Sequence, residues 1–268
     1  MQSNLDSIRD QHLTQVPKSW KILLLGDAAI DIYNYGNISR LSPEAPVPIF
    51  VVEYSEMLSG MAKNVERNLQ TLGCDVTGFF GVPSVKTRFI DIKSKQHVMR
   101  LDDDKDPEGQ PNLEQLDLSH YDAIVISDYD KGYVGYKTII DAISYYAGPV
   151  FIDTKKTDLA QFYRSGVYIK INSQEYSQLT KACPDIIVTL GGSGTEFNGK
   201  TYPATKVEVA DVCGAGDTFL AALVYQYLNT QDISAAIQYA NWAAAITVQH
   251  VGVYAPTKEE INEIARNS

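Results

Sequence analysis

The sequence is poor in positive charge, in cysteine and in histidine, and each shortage excludes a class of protein. Over 268 residues, 23 lysines and arginines stand against 33 aspartates and glutamates, a net charge of −10, so a nucleic-acid partner is not expected. The 3 cysteines and 4 histidines show no metal-ligand spacing. The odd cysteine count argues against a disulfide framework and favours a reducing compartment.

Several common sequence patterns are also missing. No apolar run is long enough to cross a bilayer, and residues 1–20 are polar and lack the apolar core of a signal peptide. We therefore expect a cytoplasmic protein without a membrane partner. No Gly-x-Gly-x-x-Gly follows the first apolar strand, which argues against a dinucleotide-dependent dehydrogenase. A Walker-type phosphate loop is absent too.

The stretch Asp211–Phe219 reads Asp-Val-Cys-Gly-Ala-Gly-Asp-Thr-Phe, and a long apolar run predicts a helix directly after it. Two glycines around Ala215 leave backbone amides unobstructed, and amides bared at a helix N-terminus bind anions. Asp217 suits a general base that takes a proton from a hydroxyl while the amides hold the attacked phosphoryl group. The alternative is an ordinary helix cap after a glycine turn. The catalytic candidates are Asp217 with the amides of Gly214, Ala215 and Gly216.

Short apolar runs alternate with helical segments along most of the chain. Lys21–Gly26 is typical of a buried strand in a parallel sheet. Further strands are predicted at residues 76–82, 121–127, 150–153, 167–171 and 186–190, and helices at 60–72, 136–146, 214–228 and 233–250. The alternation predicts an α/β fold in one domain over residues 1–268, with a doubly wound, mainly parallel sheet flanked by helices.

Two segments break this alternation. Residues 45–55 and 84–102 are β-rich without intervening helices, and we expect them to form a small antiparallel lid. The run Val47–Val52 is apolar on both faces, so both faces should be covered. A second subunit is the simplest cover, which predicts a homodimer through the lid. The alternative is that Pro46 and Pro48 bend the strand back onto its own domain.

Two carboxylates follow the first predicted strand, at the sheet edge where ligands bind in open α/β folds. Each can accept hydrogen bonds from sugar hydroxyls or cap a turn. For Asp27 both roles stay open, and for Asp31 we favour substrate binding.

The stretch around Asp217 resembles the C-terminal signature of the ribokinase-like (PfkB) sugar kinases. Asn172-x-x-Glu175 and Val188-Thr-Leu-Gly191…Gly194 resemble two further motifs of that family, in the same order. Within the family, the chain most resembles the kinase domain of the bacterial heptose-7-phosphate kinase/adenylyltransferase. This second resemblance rests on Gly26–Gly36, Ser39–Pro48, Arg100-Leu-Asp102 and Ser127–Gly132.

The resemblance implies a kinase that uses ATP and Mg²⁺, with D-glycero-D-manno-heptose 7-phosphate as the favoured acceptor at its anomeric hydroxyl. It implies that Asp217 is the general base and that Asn172 and Glu175 organise Mg²⁺ through water, although this pair would also suit a helix cap. The implied nucleotide-site residues are Thr189, Gly191, Gly194 and Asn241, the last of which also suits a core polar group. The implied substrate-side residues are Asp27, Asp31, Gly60, Lys63, Asn64, Arg88 and Arg100, and a phosphate on the sugar would need the cations Arg40, Lys63, Lys86, Arg88 and Arg100 as a group.

The sequence departs from the family pattern at three places. Gly60-Met61 stands where the family has two glycines, and Lys63 stands where a small residue is expected. Cys213 replaces a usual threonine, and we expect it to be a small buried side chain. A helical segment that normally follows Gly81 is missing. Rival hypotheses are therefore a PfkB kinase for another small sugar or nucleoside, and an inactive nucleotide- or sugar-binding homologue.

Overall fold

The computed structural model describes residues 19–104 and 109–267, and all structural statements below concern these residues. The prediction about a signal peptide rests largely on residues outside this range. The strands are β1 Lys21–Gly26, β2 Ala28–Leu41, β3 Pro48–Met61, β4 Asp75–Phe80, β5 Ser84–Asp91, β6 His97–Asp103, β7 Ala123–Asp128, β8 Val150–Thr154, β9 Val167–Asn172, β10 Ile186–Thr189, β11 Thr195–Phe197 and β12 Lys200–Tyr202. The helices are α1 Ala62–Thr71, α2 Tyr136–Tyr145, α3 Ser173–Ser177, α4 Ala215–Thr230, α5 Ile233–Thr247 and α6 Lys258–Asn267.

The main sheet has eight strands in the order β12-β11-β10-β9-β8-β7-β1-β4. Neighbouring strands pair in parallel along the series β4, β1, β7, β8, β9 and β10. The β11–β12 hairpin continues the sheet antiparallel to β10. Side chains alternate between the two faces of a strand, so Ile22 and Leu24 of β1 pack with α1, α4 and α5 while Leu23 and Leu25 pack on the side of α2. The predicted α/β class and its mainly parallel sheet are confirmed.

The predicted lid is a four-stranded sheet in the order β3-β2-β5-β6. The β2–β3 and β5–β6 pairs are antiparallel, whereas β2 and β5 pair in parallel. Strand β2 is missing from the prediction, because residues such as Asn34, Gly36 and Asn37 are poor strand formers. Long-range pairing on both of its edges overrides that local preference.

Two predicted boundaries shift where the lid meets the main domain. Gly60 and Met61 end β3, so α1 begins at Ala62 and not at residue 60. Only residues 81–83 connect β4 to β5, which agrees with the missing segment after Gly81. Strand β4 therefore forms one edge of the main sheet. None of the described helices is long and apolar enough to span a membrane.

Candidate active site

Asp217 lies in the first turn of α4. Gly214 caps this helix with a φ of 75°, a left-handed conformation that favours glycine. The side-chain amide of Asn64 and the side chain of Val253 also leave no room for a Cβ there. The N–H of Ala215 donates to the carbonyl oxygen of Val212 at 3.3 Å. Of the three predicted amides, only that of Ala215 has a backbone partner among the described residues. The N–H groups of Gly216 and Asp217 lie in the first turn of α4, where intrahelical partners are lacking.

Asp217 is only 4% exposed, and its carboxylate receives two side-chain hydrogen bonds. Asn64 donates from Nδ2 to Oδ2 at 2.9 Å, and Tyr129 donates from its hydroxyl to Oδ1 at 2.6 Å. Burial raises the pKa of Asp217 to about 6, although both donors favour its ionised form and lower the pKa. A carboxylate with this pKa is mostly ionised near neutral pH and still basic enough to accept a proton.

The amide of Asn64 is oriented by a buried polar network behind it. Asn68 donates from Nδ2 to both the backbone oxygen and Oδ1 of Asn64, at 2.8 and 3.3 Å. Asn68 in turn accepts a hydrogen bond from the Thr218 hydroxyl at 3.0 Å. Because Oδ1 of Asn64 faces a donor, its Nδ2 is left to face Asp217.

Asp27 holds the loop that carries Tyr129. Its carboxylate accepts hydrogen bonds from the backbone N–H groups of Tyr129, Lys131 and Tyr133, at 2.8, 3.1 and 3.1 Å. Asp27 is only 1% exposed. The sequence left two roles open for Asp27, and these three hydrogen bonds correspond to the turn cap. The predicted sugar contact through Asp27 is corrected accordingly.

Lys170 is a site residue that the sequence analysis missed. It is buried on β9, and its ammonium group donates to Oδ2 of Asp153 at 2.7 Å. A Cβ at Gly216 would lie 3.0 Å from the same nitrogen, so the ammonium group packs against the start of α4. Burial alone would lower the pKa of Lys170, but the charge of Asp153 raises it above its ordinary value. A lysine inside an apolar strand was the signal that could have revealed it.

Asn172 and Glu175 form the helix-capping pair that was the alternative to a metal-organising role. The side chain of Asn172 accepts from the N–H of Glu175 at 2.9 Å, and Glu175 accepts from the N–H of Asn172 at 2.8 Å. Lys155 donates to the other oxygen of Glu175. Burial would raise the pKa of Glu175, but the Asn172 N–H and the Lys155 ammonium bring it below its ordinary value.

A cavity of ≈ 540 Å³ opens beside the start of α4. It unites three of the predicted nucleotide-site residues, Thr189, Gly191 and Gly194, with Ala215 and Gly216 at the start of α4. Its remaining walls are mostly apolar and include Val207, Val209, Phe219, Ala244 and Val248. A largely apolar cleft that reaches an anion site at one end matches the shape of a nucleotide with its phosphates.

Asn241 also lines this cavity, but its amide is engaged elsewhere. Thr195 donates to its Oδ1 at 2.7 Å, and its Nδ2 donates to the backbone oxygen of Tyr202 at 3.1 Å. The residue is 6% exposed. Asn241 therefore ties α5 to the β11–β12 hairpin and shapes the cavity wall, which is the core role that the sequence left open.

Three of the five predicted cations, Lys86, Arg88 and Arg100, lie on one face of the lid. Arg40 is exposed near the end of β2, and Lys63 lies on α1. Register places Asp31 beside Lys86, and Lys86 beside Asp102, while Arg88 lies beside Arg100. Arg88 donates to Asp31, and Arg100 donates to Asp102 from two nitrogens, each at 2.7 Å. A Cβ at Gly60 would collide with the carboxylate of Asp31 and displace it. The pKa of Lys86 is lowered, mainly by burial.

Two substitutions in the family pattern have different surroundings from those expected. The ammonium group of Lys63 lies 2.9 Å from Glu66 and 3.9 Å from the ring centre of Phe80. Lys63 thus contacts its own helix and β4, and its place among the substrate contacts stays a prediction. Cys213 is exposed, and the prediction of a buried side chain is wrong.

Comparison of the sequence with known proteins identifies its family. The family model described as "pfkB family carbohydrate kinase" matches residues 86–260. The bifunctional protein HldE of Nitratiruptor sp. is 32% identical over 305 aligned positions, which cover 92% of this chain and 65% of the relative. The chain thus spans about two thirds of the length of that relative. Because the alignment exceeds the 268 residues of the chain, the relative contains segments that this chain lacks.

Solved structures agree on the fold. The ribokinase of Thermotoga maritima superposes with a TM-score of 0.69 at 17% identity, covering 92% of this chain and 100% of the ribokinase. Arabidopsis thaliana ribokinase, solved with ribose and ATP, gives a TM-score of 0.68 at 15% identity, covering 94% of this chain and all of that one. The chain therefore belongs to the pfkB family of carbohydrate kinases.

Proposed function

We propose that the chain transfers the terminal phosphoryl group of ATP to the anomeric hydroxyl of D-glycero-D-manno-heptose 7-phosphate. The observation that carries this proposal is the position of Asp217, a buried carboxylate with a pKa of about 6 in the helix turn whose Gly216 lines the cavity. The relative HldE, at 32% identity, supports a heptose as the acceptor.

In this proposal the residues of the chain divide the reaction between them. Asp217 accepts the proton of the acceptor hydroxyl as that oxygen attacks the phosphorus of the nucleotide. The N–H groups of Gly216 and Asp217 at the start of α4 hold the transferred phosphoryl group. Lys170 supplies a fixed positive charge beside Gly216 and offsets the repulsion between Asp217 and the phosphates.

The residues present are compatible with Mg²⁺ held mainly by water and by nucleotide phosphates. Magnesium usually keeps several waters and takes only one or two protein carboxylates. Glu175 is the candidate carboxylate, with Asn172 beside it, and the ion would neutralise charge on the phosphates. The described residues contain no group of three or more His, Cys, Asp or Glu side chains placed to hold a metal, so a cage made by protein alone is not part of the proposal.

The lid supplies the charge that a phosphorylated acceptor requires. Lys86, Arg88 and Arg100 share one lid face, and Tyr33 on that face lies close to Asp211 and Cys213 of the loop before α4. Two of these cations are paired with carboxylates, and Lys86 lies near both of those carboxylates. A phosphate on the sugar would compete for the same donors.

We also propose that two copies of the chain associate through the lid. Exposed apolar side chains cluster on the lid, among them Val51, Val52, Met57, Met99 and Leu101, which are 47–68% exposed. A pairing of two such lids would cover them with a symmetric contact.

A panel of acceptors tests the proposed reaction. ADP release should be greatest with heptose 7-phosphate and at least about tenfold slower, in kcat/KM, with unphosphorylated heptose, ribose and fructose. Equal kcat/KM for phosphorylated and plain sugars would remove the heptose phosphate proposal and leave the kinase class intact. Absence of ADP release with every acceptor would favour the inactive homologue.

A further inference from the structure

Tyr129 makes the second contact to the carboxylate of Asp217, and none of the predictions from sequence gave it a role. Its hydroxyl donates to Oδ1 at 2.6 Å, across 88 positions of sequence, while Asn64 serves Oδ2. We propose that Tyr129 is a positioning residue for the general base, and that its hydroxyl fixes the orientation of Asp217 and keeps that carboxylate ionised. This inference rests on the proposed role of Asp217.

Two contacts, one to the backbone and one to the ring, hold Tyr129 and thereby fix the position of its hydroxyl. Its backbone N–H donates to the buried carboxylate of Asp27 at 2.8 Å. Above its ring lies the ammonium group of Lys155, 5.3 Å from the ring centre, and that group also contacts Glu175. The loop conformation and the ring position are therefore set by contacts that do not involve Asp217. Such independent support is what preorganises a hydrogen bond to a catalytic group.

The charged groups around Asp217 make the tyrosine contact important. Asp153 on β8 disfavours ionisation of Asp217, whereas Lys170 on β9 and Asn64 on α1 favour it. Glu175 on α3 lies near Lys170 and adds a second negative charge to the surroundings. Burial disfavours the ionised form most of all. Loss of one donor from this balance would therefore shift the base toward its protonated, inactive form.

The hydroxyl of Tyr129 remains a donor at every pH of interest. Burial, and then the charge of Asp217, raise the pKa of Tyr129 well above its ordinary value, so the phenol does not ionise. An ionised carboxylate offers about four acceptor positions. Tyr129 and Asn64 use two of them, which leaves lone pairs of Asp217 for the acceptor hydroxyl.

Replacement of Tyr129 by phenylalanine tests the inference, since it removes the hydroxyl and keeps the ring. A hydrogen bond to a charged group contributes about 1.5–3 kcal/mol, so the acid limb of the kcat/KM profile should move up by about one to two pH units. The loss in kcat should be largest below about pH 7 and should shrink at alkaline pH. We expect KM for ATP to stay within about twofold of wild type.

Tyr145→Phe is the matched control. Tyr145 donates to Glu114 at 2.7 Å on the surface, so this variant loses a phenol–carboxylate hydrogen bond away from the site. It should leave the pH profile unchanged. Incorporation of 3-fluorotyrosine at position 129 provides a second test, because a more acidic phenol is a stronger donor. The acid limb should then move to lower pH, opposite to the shift in Tyr129→Phe.

The outcomes separate this inference from the proposed function. An acid limb that coincides with wild type in both position-129 variants, with kcat within about twofold, would overturn the role of Tyr129. If Asp217→Asn remained active, the proposed base itself would fail, and the role of Tyr129 with it. If Asp217→Asn is inactive and the Tyr129 variants behave as wild type, the kinase proposal stands and only the positioning role is lost.

Discussion

Asn64 and Asp217 are separated by 153 positions of sequence, yet the amide of one donates to the carboxylate of the other at 2.9 Å. The contact joins the first turn of α1 to the first turn of α4. Two helix starts therefore meet at the proposed reaction centre, one at the end of lid strand β3 and the other beside the proposed nucleotide cavity. The acceptor and the nucleotide can thus be brought to the same carboxylate.

Replacement of Asp217 by asparagine removes the proposed base and nearly preserves the shape of the side chain. General-base catalysis typically contributes about 10²- to 10⁴-fold, so kcat should fall by that range. Nucleotide affinity, measured by calorimetry, should change little. A variant that retains more than about a tenth of wild-type kcat would contradict the assignment.

The activity of the wild-type protein should decline in acid as Asp217 becomes protonated. Since burial raises the pKa of this carboxyl to about 6, the ionised base is present above that pH and is lost below it. A plot of log kcat/KM against pH should bend near 6 and fall with unit slope on the acid side. A profile that stays flat down to about pH 4.5 would exclude Asp217 as the titrating base.

Lys170 and Asp153 form a buried ion pair. Removal of one partner should destabilise the fold much more than removal of both. Lys170→Met leaves the Asp153 carboxylate uncompensated and should lower the free energy of unfolding by about 3–5 kcal/mol, measured in urea. The double variant Asp153→Asn with Lys170→Met removes both charges and should recover most of that loss. If kcat stays low in the recovered double variant, Lys170 acts on the reaction as well as on the fold. An equally destabilised double variant would contradict the pairing.

Lys86 should contribute to recognition of the acceptor phosphate. Lys86→Met is expected to raise KM for heptose 7-phosphate by about tenfold, since it deletes one charge-assisted contact. KM for ATP should not change. Lys93→Met, in the exposed turn between β5 and β6 of the same lid, is the control for loss of a positive charge. Equal effects of both variants would point to a general charge effect.

The proposed dimer should dissociate when charge is placed on the lid. Val51 is 50% exposed, and Val51→Glu should convert a dimer to a monomer by light scattering at micromolar concentration, as should Ile49→Glu. Val251, at 87% exposed, lies in the loop after α5. Val251→Glu should leave the mass unchanged. A wild-type protein that is monomeric and fully active would end the dimer proposal.

Local sequence patterns were sufficient for most of the main sheet. The apolar run of β1 predicted a buried strand, because burial on both faces needs apolar residues at every position. The glycine-flanked start of α4 and the capping pair Asn172 and Glu175 were also readable, since caps and tight turns depend on neighbouring residues. These interactions span only a few positions of sequence.

Tertiary structure decided what each of those residues contacts. The strand β2 exists because β3 and β5 pair with both of its edges, and nothing in its own composition required that. Asp27 proved to be a loop cap, and Lys170 and Tyr129 joined the site, through partners between 17 and 106 positions away. Composition fixes which chemistry a side chain can offer, but the desolvation and the partners that set its pKa and its role come from chain segments that only folding brings together.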